Sequence, residues 1–121
     1  MAVTSHAFTM YPVTDMPRAI EFYRDVLGLR PTNDASTVWQ EFDVSGATFG
    51  VGNFEQVGTP GTAQSLALEI DDLPAFRRTL RERGVDVSEP HGLPNCWISV
   101  VHDPDGNMIW LHQLKSQTDP Q

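Results

Sequence analysis

The chain alternates between stretches with a two-residue hydrophobic period and stretches with a helical one. In the first helical stretch, Met16, Ile20, Tyr23 and Leu27 fall on one face, with Ala19 and Val26 beside them. In the second, Leu73, Phe76 and Leu80 share a face, and Arg77, Arg78, Arg81 and Arg83 form a solvated side. Asp15 and Asp72 stand just before these stretches, where an aspartate can accept from the free N–H groups of a first helical turn. Pro17 and Pro74 follow, at positions where the N–H that proline lacks would have no partner. Gly28 and Gly84 suit the left-handed residue after a helix end.

Strands flank both helices. His6–Val13 reads as the first, and Val38–Val44 with Ala47–Asn53 as a hairpin turning at Ser45-Gly46. Ser65–Ile70 opens the second half, and Cys96–His102 with Asn107–Leu114 closes it around Asp103-Pro104-Asp105-Gly106. Short strands near Arg30–Thr32 and Val85–Val87 complete the order β-α-β-β-β, twice. The expected fold class is α+β, with one module over residues 1–60 and a second over 61–121. Phe54–Gln64 reads as the linker and the polar stretch after Lys115 as a loose tail. Along Ser65–Ile70, Thr48–Gly52 and Met108–His112, large apolar residues alternate with small, aromatic or polar ones. The helices should cover the Leu, Ile and Val side. The other side suits a ligand-sized space.

Charge narrows the partners. The formal net charge is -8 over 121 residues, so a phosphate backbone should repel the chain and no nucleic-acid partner is expected. No apolar run is long enough to span a membrane, and no secretory signal is expected at the N-terminus. The single cysteine, Cys96, cannot form an intrachain disulfide, so a cytoplasmic location is expected.

Two segments carry a family resemblance. Tyr11-Pro-Val-Thr-Asp-Met-Pro-Arg-Ala-Ile-Glu-Phe-Tyr-Arg-Asp-Val-Leu-Gly-Leu29 resembles the opening of glyoxalase, bleomycin-resistance and extradiol-dioxygenase proteins, the vicinal-oxygen-chelate superfamily. Val101-His-Asp-Pro-Asp-Gly-Asn-Met-Ile-Trp-Leu111 resembles its closing hairpin, and Leu66–Asp72 with the helix ending at Gly84 fits its second module. The resemblance implies two βαβββ modules, each curling into half of an open barrel, and a homodimer in which two subunits complete two clefts. It says less about function, because this fold hosts several unrelated chemistries.

Metal-dependent members of that superfamily hold a divalent ion with His and Glu side chains on four strands. The resemblance puts those four positions at Phe8, Gly50, Ser65 and Trp110 here. Three have no side-chain ligand and a neutral serine is a poor one, so no metal and no cofactor is expected. A shifted metal site built from His6, Glu41 and His112 is the alternative, since His6 shares a strand face with Phe8 and His112 with Trp110.

Other residues bear on chemistry. His112 is either an acid–base group or ligand hydrogen-bonder beside Trp110, or a strand-end histidine bonded to backbone or solvent. Glu41 shares a face with Trp39 and reads as a base, a counter-ion for a cationic ligand, or a solvated strand residue. Glu69 has the same logic, beside Asp71 and Asp72 at a solvated strand end. Cys96 reads as a nucleophile coupled to His112 or as a small buried apolar residue. His91 reads as a loop residue and His102 as structural. Phe8, Met10, Trp39, Trp97 and Trp110 suit a flat organic ligand or the core of a dimer interface. The preferred function is metal-independent binding of a small organic molecule in an aromatic cleft between subunits. The alternative is a lyase, isomerase or dioxygenase-type enzyme using His112 and Glu41.

Overall fold

A computed structural model describes residues 2–34 and 36–116. The strands are β1 (Thr9–Pro12), β2 (Arg30–Pro31), β3 (Trp39–Val44), β4 (Ala47–Gly52), β5 (Leu66–Glu69), β6 (His91–Gly92), β7 (Cys96–His102) and β8 (Met108–Leu114). The helices are α1 (Met16–Glu21), continued by a π-helical segment Phe22–Val26, and α2 (Leu73–Glu82). A 3-10 turn at Glu55–Val57 lies in the linker. The strands form two four-stranded mixed sheets of the same design, ordered β1-β4-β3-β2 and β5-β8-β7-β6. In each, the first strand runs parallel to the last of its module and the other pairs are antiparallel. This is the α+β arrangement of two βαβββ modules.

The chain packs as two compact units. One comprises the chain up to Ala63 together with Asp103–Asn107, and the other Gln64–His102 with the stretch from Met108 onward. In the first unit the core is aromatic. Tyr11, Tyr23, Phe42 and Phe49 are fully buried, with Val13 and Val51 among them, and Phe49 meets both tyrosines edge-on or tilted at 5.1–5.2 Å. In the second unit the core is aliphatic, built on Leu66, Leu68, Leu73, Leu80, Val101, Ile109 and Leu111.

Local signals position these elements. Asp15 accepts from the Arg18 N–H at 3.2 Å and Asp72 from the Ala75 N–H at 3.1 Å, so both aspartates cap their helices. The first helix widens where Leu27 N–H bonds the Phe22 carbonyl, five residues back. Ala19, Phe22 and Tyr23, spaced three and four residues apart, all turn into the core.

The structure departs from the sequence reading at four points. β1 starts at Thr9, leaving His6 and Phe8 outside the strand. The short strand of the second module is His91–Gly92, not Val85–Val87. The Val85 N–H is spent on the Leu80 carbonyl at the end of α2, so those residues wrap the helix terminus. Arg77 is buried rather than solvated, its Nε donating to the Ser88 carbonyl at 3.0 Å. The linker carries the 3-10 turn noted above. The tail beyond Ser116 lies outside the described residues.

Residues 103–107 form a polar knot inside the first unit. Asn107, 0 % exposed, donates to the Pro12 carbonyl at 2.7 Å and to Asp103 at 2.9 Å, and its side-chain oxygen accepts from the Gly61 and Ala63 N–H groups. Asp103 also accepts from the Tyr23 hydroxyl at 2.7 Å. Burial, and then the Asp103 charge beside it, push the Tyr23 phenol well above its ordinary value, so it remains a donor. Thr14 fastens to Asp105 through its N–H and its hydroxyl.

Candidate functional site

In the first unit, pairing sets Met10, Gly50 and Glu41 in one row across three strands, and Pro12, Gly52 and Trp39 in the next. Paired residues share a sheet face, so these rows form the face opposite buried Gln40, Phe42, Phe49 and Val51. The Trp39 indole lies over Gly50 and Gly52. A Cβ on Gly50 would sit 2.4 Å from Cη2 and Cζ2 of Trp39, and one on Gly52 would sit 3.0 Å from its Cε3. The two glycines are therefore the bed on which the ring rests. Trp39 Nε1 donates to Glu41 Oε2 at 3.0 Å, which fixes the ring and occupies the carboxylate. Phe8 meets the indole edge-on at 5.3 Å and Phe54 meets it at 6.1 Å. Phe8, Met10 and Phe54 are 44 %, 36 % and 38 % exposed, so this aromatic wall stays open. A hollow of about 700 Å³ runs instead beside α1 between Thr14, Arg24 and Asn53, and neither Trp39 nor Glu41 lines it.

Gly50→Ala gives a direct test of this packing. The added methyl group overlaps the indole, so the ring must leave its bed, at a cost of about 1–3 kcal/mol. The expected outcome is a lowered melting temperature with a shift in tryptophan fluorescence. Wild-type fluorescence in the variant would mean that Trp39 does not rest on Gly50.

In the second unit, Ala67, Trp110 and Val100 form one row, and Glu69, His112, Ile98 and His91 the next. This face lies opposite buried Leu66, Leu68, Ser99, Val101, Ile109 and Leu111. Trp110 Nε1 donates to the Gln64 carbonyl at 2.8 Å. His112 Nδ1 contacts Glu69 Oε1 at 2.5 Å, and Glu69 Oε2 accepts the Leu114 N–H at 2.8 Å. Partial burial acts to raise the Glu69 pKa, but the Leu114 N–H and then His112 outweigh it and hold the carboxyl below its ordinary value.

The sequence-derived candidates sort as follows. Phe8, Met10, Trp39 and Glu41 come together on one face of the first unit. Trp110 and His112 share a face in the second unit, and buried Cys96 lies on the same side of β7. Trp97 does not join them. Adjacent strand residues point to opposite faces, and Trp97 sits on the α2 side with Leu73, Pro74 and Pro90, under the Lys115 ammonium at 4.4 Å. Glu41 holds Trp39, and the carboxylate on His112 is Glu69. Within its own strand Glu69 reads as readily as a solvated strand end; only the parallel register of β5 on β8 sets it opposite His112. No hydrogen bond among the described residues joins Cys96 to His112.

The positions at which related proteins hold a metal do not fit one. Phe8 offers a ring packed on Trp39, Gly50 offers no side chain and is covered by that indole, and Trp110 offers an N–H donor already in use. His6 bonds the Thr9 hydroxyl, Glu41 and His112 have the partners just described, and no group of three or more His, Cys, Asp or Glu among the described residues could hold an ion. No helix among the described residues is long and apolar enough to cross a membrane.

With two βαβββ modules and these faces in place, comparison with known proteins assigns the class. Residues 5–111 match the model of the Glyoxalase/Bleomycin resistance protein/Dioxygenase superfamily, and the chain belongs to that superfamily. Among solved structures it is similar to TnmS3, an antibiotic binding protein from Streptomyces sp. CB03234, with 31% identity and a TM-score of 0.83 over 95% of this chain and 99% of that one. A glyoxalase/bleomycin resistance protein from the same organism is 32% identical, with a TM-score of 0.78 over 90% of this chain and 100% of that one. A lactoylglutathione lyase of Haemophilus influenzae is 28% identical over 89% of this chain and 91% of its own length.

Proposed function

We propose that this chain binds a flat organic small molecule without a metal ion, against the aromatic wall centred on Trp39, with two copies of the chain completing the cleft. The observation that carries this reading is the indole bedded on Gly50 and Gly52, edged by Phe8 and Phe54. Exposed aromatic and thioether groups in one patch need a cover, and a planar ligand or a second copy supplies it. The misfit of Phe8, Gly50 and Trp110 to a metal supports binding without Lewis-acid chemistry. Similarity to a protein named for antibiotic binding supports the ligand class. Glu41 at the wall and a net charge of -8 favour a neutral or cationic ligand.

The test is a thermal-shift screen of chelator-treated protein against flat neutral and cationic aromatic compounds. Stabilisation by members of that set is expected. Stabilisation seen only after nickel or zinc is added back would overturn the reading. Light scattering checks the second copy: twice the 13.5 kDa chain mass is expected, and a monomer contradicts that part.

The His112–Glu69 contact favours a second reading, proton transfer on a bound carbonyl or epoxide. There His112→Ala abolishes turnover and leaves the dimer intact.

A further inference from the structure

We infer that the hollow beside α1 is a second ligand site, one that takes a primary ammonium carried on a compact, non-planar apolar body. It is independent of the binding reading above, because neither Trp39 nor Glu41 lines this part of the first unit.

The floor and its ends come from one stretch of chain. Pro17, Ile20 and Arg24 line the hollow at the three- and four-residue spacing that keeps one side of a helix together. Met16, Pro17 and Ile20 make the floor apolar, with Met16 buried and Ile20 half-buried. Asp15 and Glu21 bracket that floor, about 9 Å apart by helical rise, and both are exposed. Thr37 and Asn53 form the facing wall. The space between, about 700 Å³, is of the size that holds small organic ligands.

The polar groups left unspent around this floor decide the ligand. Asp15 spends Oδ1 on the Arg18 N–H. Its Oδ2 and both oxygens of Glu21 accept no hydrogen bond among the described residues. Asn53 Nδ2 donates to the Thr37 carbonyl at 2.8 Å, which leaves the amide oxygen as an acceptor. Two nearby hydroxyls are committed. Thr14 donates to Asp105 at 2.7 Å, and Ser36 accepts from the Val38 and Trp39 N–H groups. Arg24 is the one cation lining the hollow among the described residues. Its Nε and Nη2 are held by Asp25 at 2.8 and 3.0 Å, and Glu21 adds a weaker attraction. Arg24 and Asp25 together are neutral, so Asp15 and Glu21 set the sign of the rim, in a chain of net charge -8. An ammonium brings three donors, a positive charge and no acceptor, which is what these groups lack. An anion would meet two carboxylates, and a neutral alcohol forgoes the charge.

The probes are the bridgehead amine, alcohol and carboxylate of adamantane, titrated into the full chain at neutral pH and followed by backbone amide NMR shifts. The three share one cage, which is too round to stack on a flat aromatic wall. Wild-type protein should bind the amine about fivefold more tightly than the alcohol, the upper value of an exposed ion pair, and the carboxylate least. Shifts should centre on Ile20, Glu21 and Asn53. Asp15→Asn combined with Glu21→Gln should remove the preference for the amine and leave the affinity for the alcohol unchanged. Asparagine caps a helix as well as aspartate does, so α1 keeps its start. Glu21→Gln alone, with the cap untouched, should cut the preference to about twofold. Equal binding of amine and alcohol to wild type overturns the inference. So does a preference that survives the double variant, a set of shifts centred on Trp39 and Glu41, or binding of none of the three probes. The binding reading has its own probes, the flat aromatics, and stands or falls separately.

Discussion

Asn107→Ala is expected to lower the melting temperature by roughly 12–20 °C, the largest stability loss of any single truncation considered. The side-chain amide is fully buried and serves four partners: the Pro12 carbonyl, the Asp103 carboxylate, and the Gly61 and Ala63 N–H groups. Alanine removes all four bonds and leaves the groups that made them buried without these partners. Each orphaned group costs about 1–3 kcal/mol, and the costs are less than additive, so the total is about 3–5 kcal/mol. An unfolding entropy of about 2.1 cal/mol/K per residue converts this to the stated shift for a chain of 121 residues. Asn107→Asp separates hydrogen bonding from shape. It can still accept from Gly61 and Ala63 but sets a second carboxylate against Asp103, so it too should destabilise, and acidification should relieve the loss. Calorimetry of the three proteins checks this; an Asn107→Ala melting temperature within a few degrees of wild type would mean that the knot does not hold the first unit.

Trp39→Ala is expected to weaken binding of a flat ligand by about thirtyfold or more. A tryptophan at the centre of a contact surface is worth about 2 kcal/mol or more when truncated. Here the loss is compounded, because Phe8 and Phe54 both pack on the indole and lose their support when it goes. Gly50 and Gly52 are then bare backbone. Trp39→Phe should recover part of the affinity, since a smaller ring still stacks but cannot donate to Glu41. Calorimetric titration with a compound that stabilises the wild type measures both. Unchanged affinity in Trp39→Ala would move the ligand away from this wall.

The fold was legible where the signals are local. Asp15 and Asp72 cap helices because the donor lies three residues away in both cases. Gly28 and Gly84 have φ of 80° and 76°, the left-handed conformation that follows a helix end. Non-local pairing was not legible. Val85–Val87 has strand-forming residues, yet the partner available to β7 is His91–Gly92, and only the register shows it. The same limit explains the site. Trp39 with Glu41 follows from alternation within one strand. Glu69 with His112 requires knowing how β5 lies against β8, which no pattern inside either strand encodes. Trp97 was within reach of the alternation rule: it neighbours Cys96 on one strand, so the two residues cannot line one face.

Metal independence is tested most directly by measuring metal content and ligand binding on one chelator-treated preparation of wild-type protein. The expected result is no stoichiometric nickel, zinc, iron or manganese, together with undiminished binding of a flat aromatic compound whose affinity Trp39→Ala lowers about thirtyfold or more. Binding lost on chelation and restored by one of those ions would contradict it, and would return the chain to the metal-dependent chemistry of its superfamily.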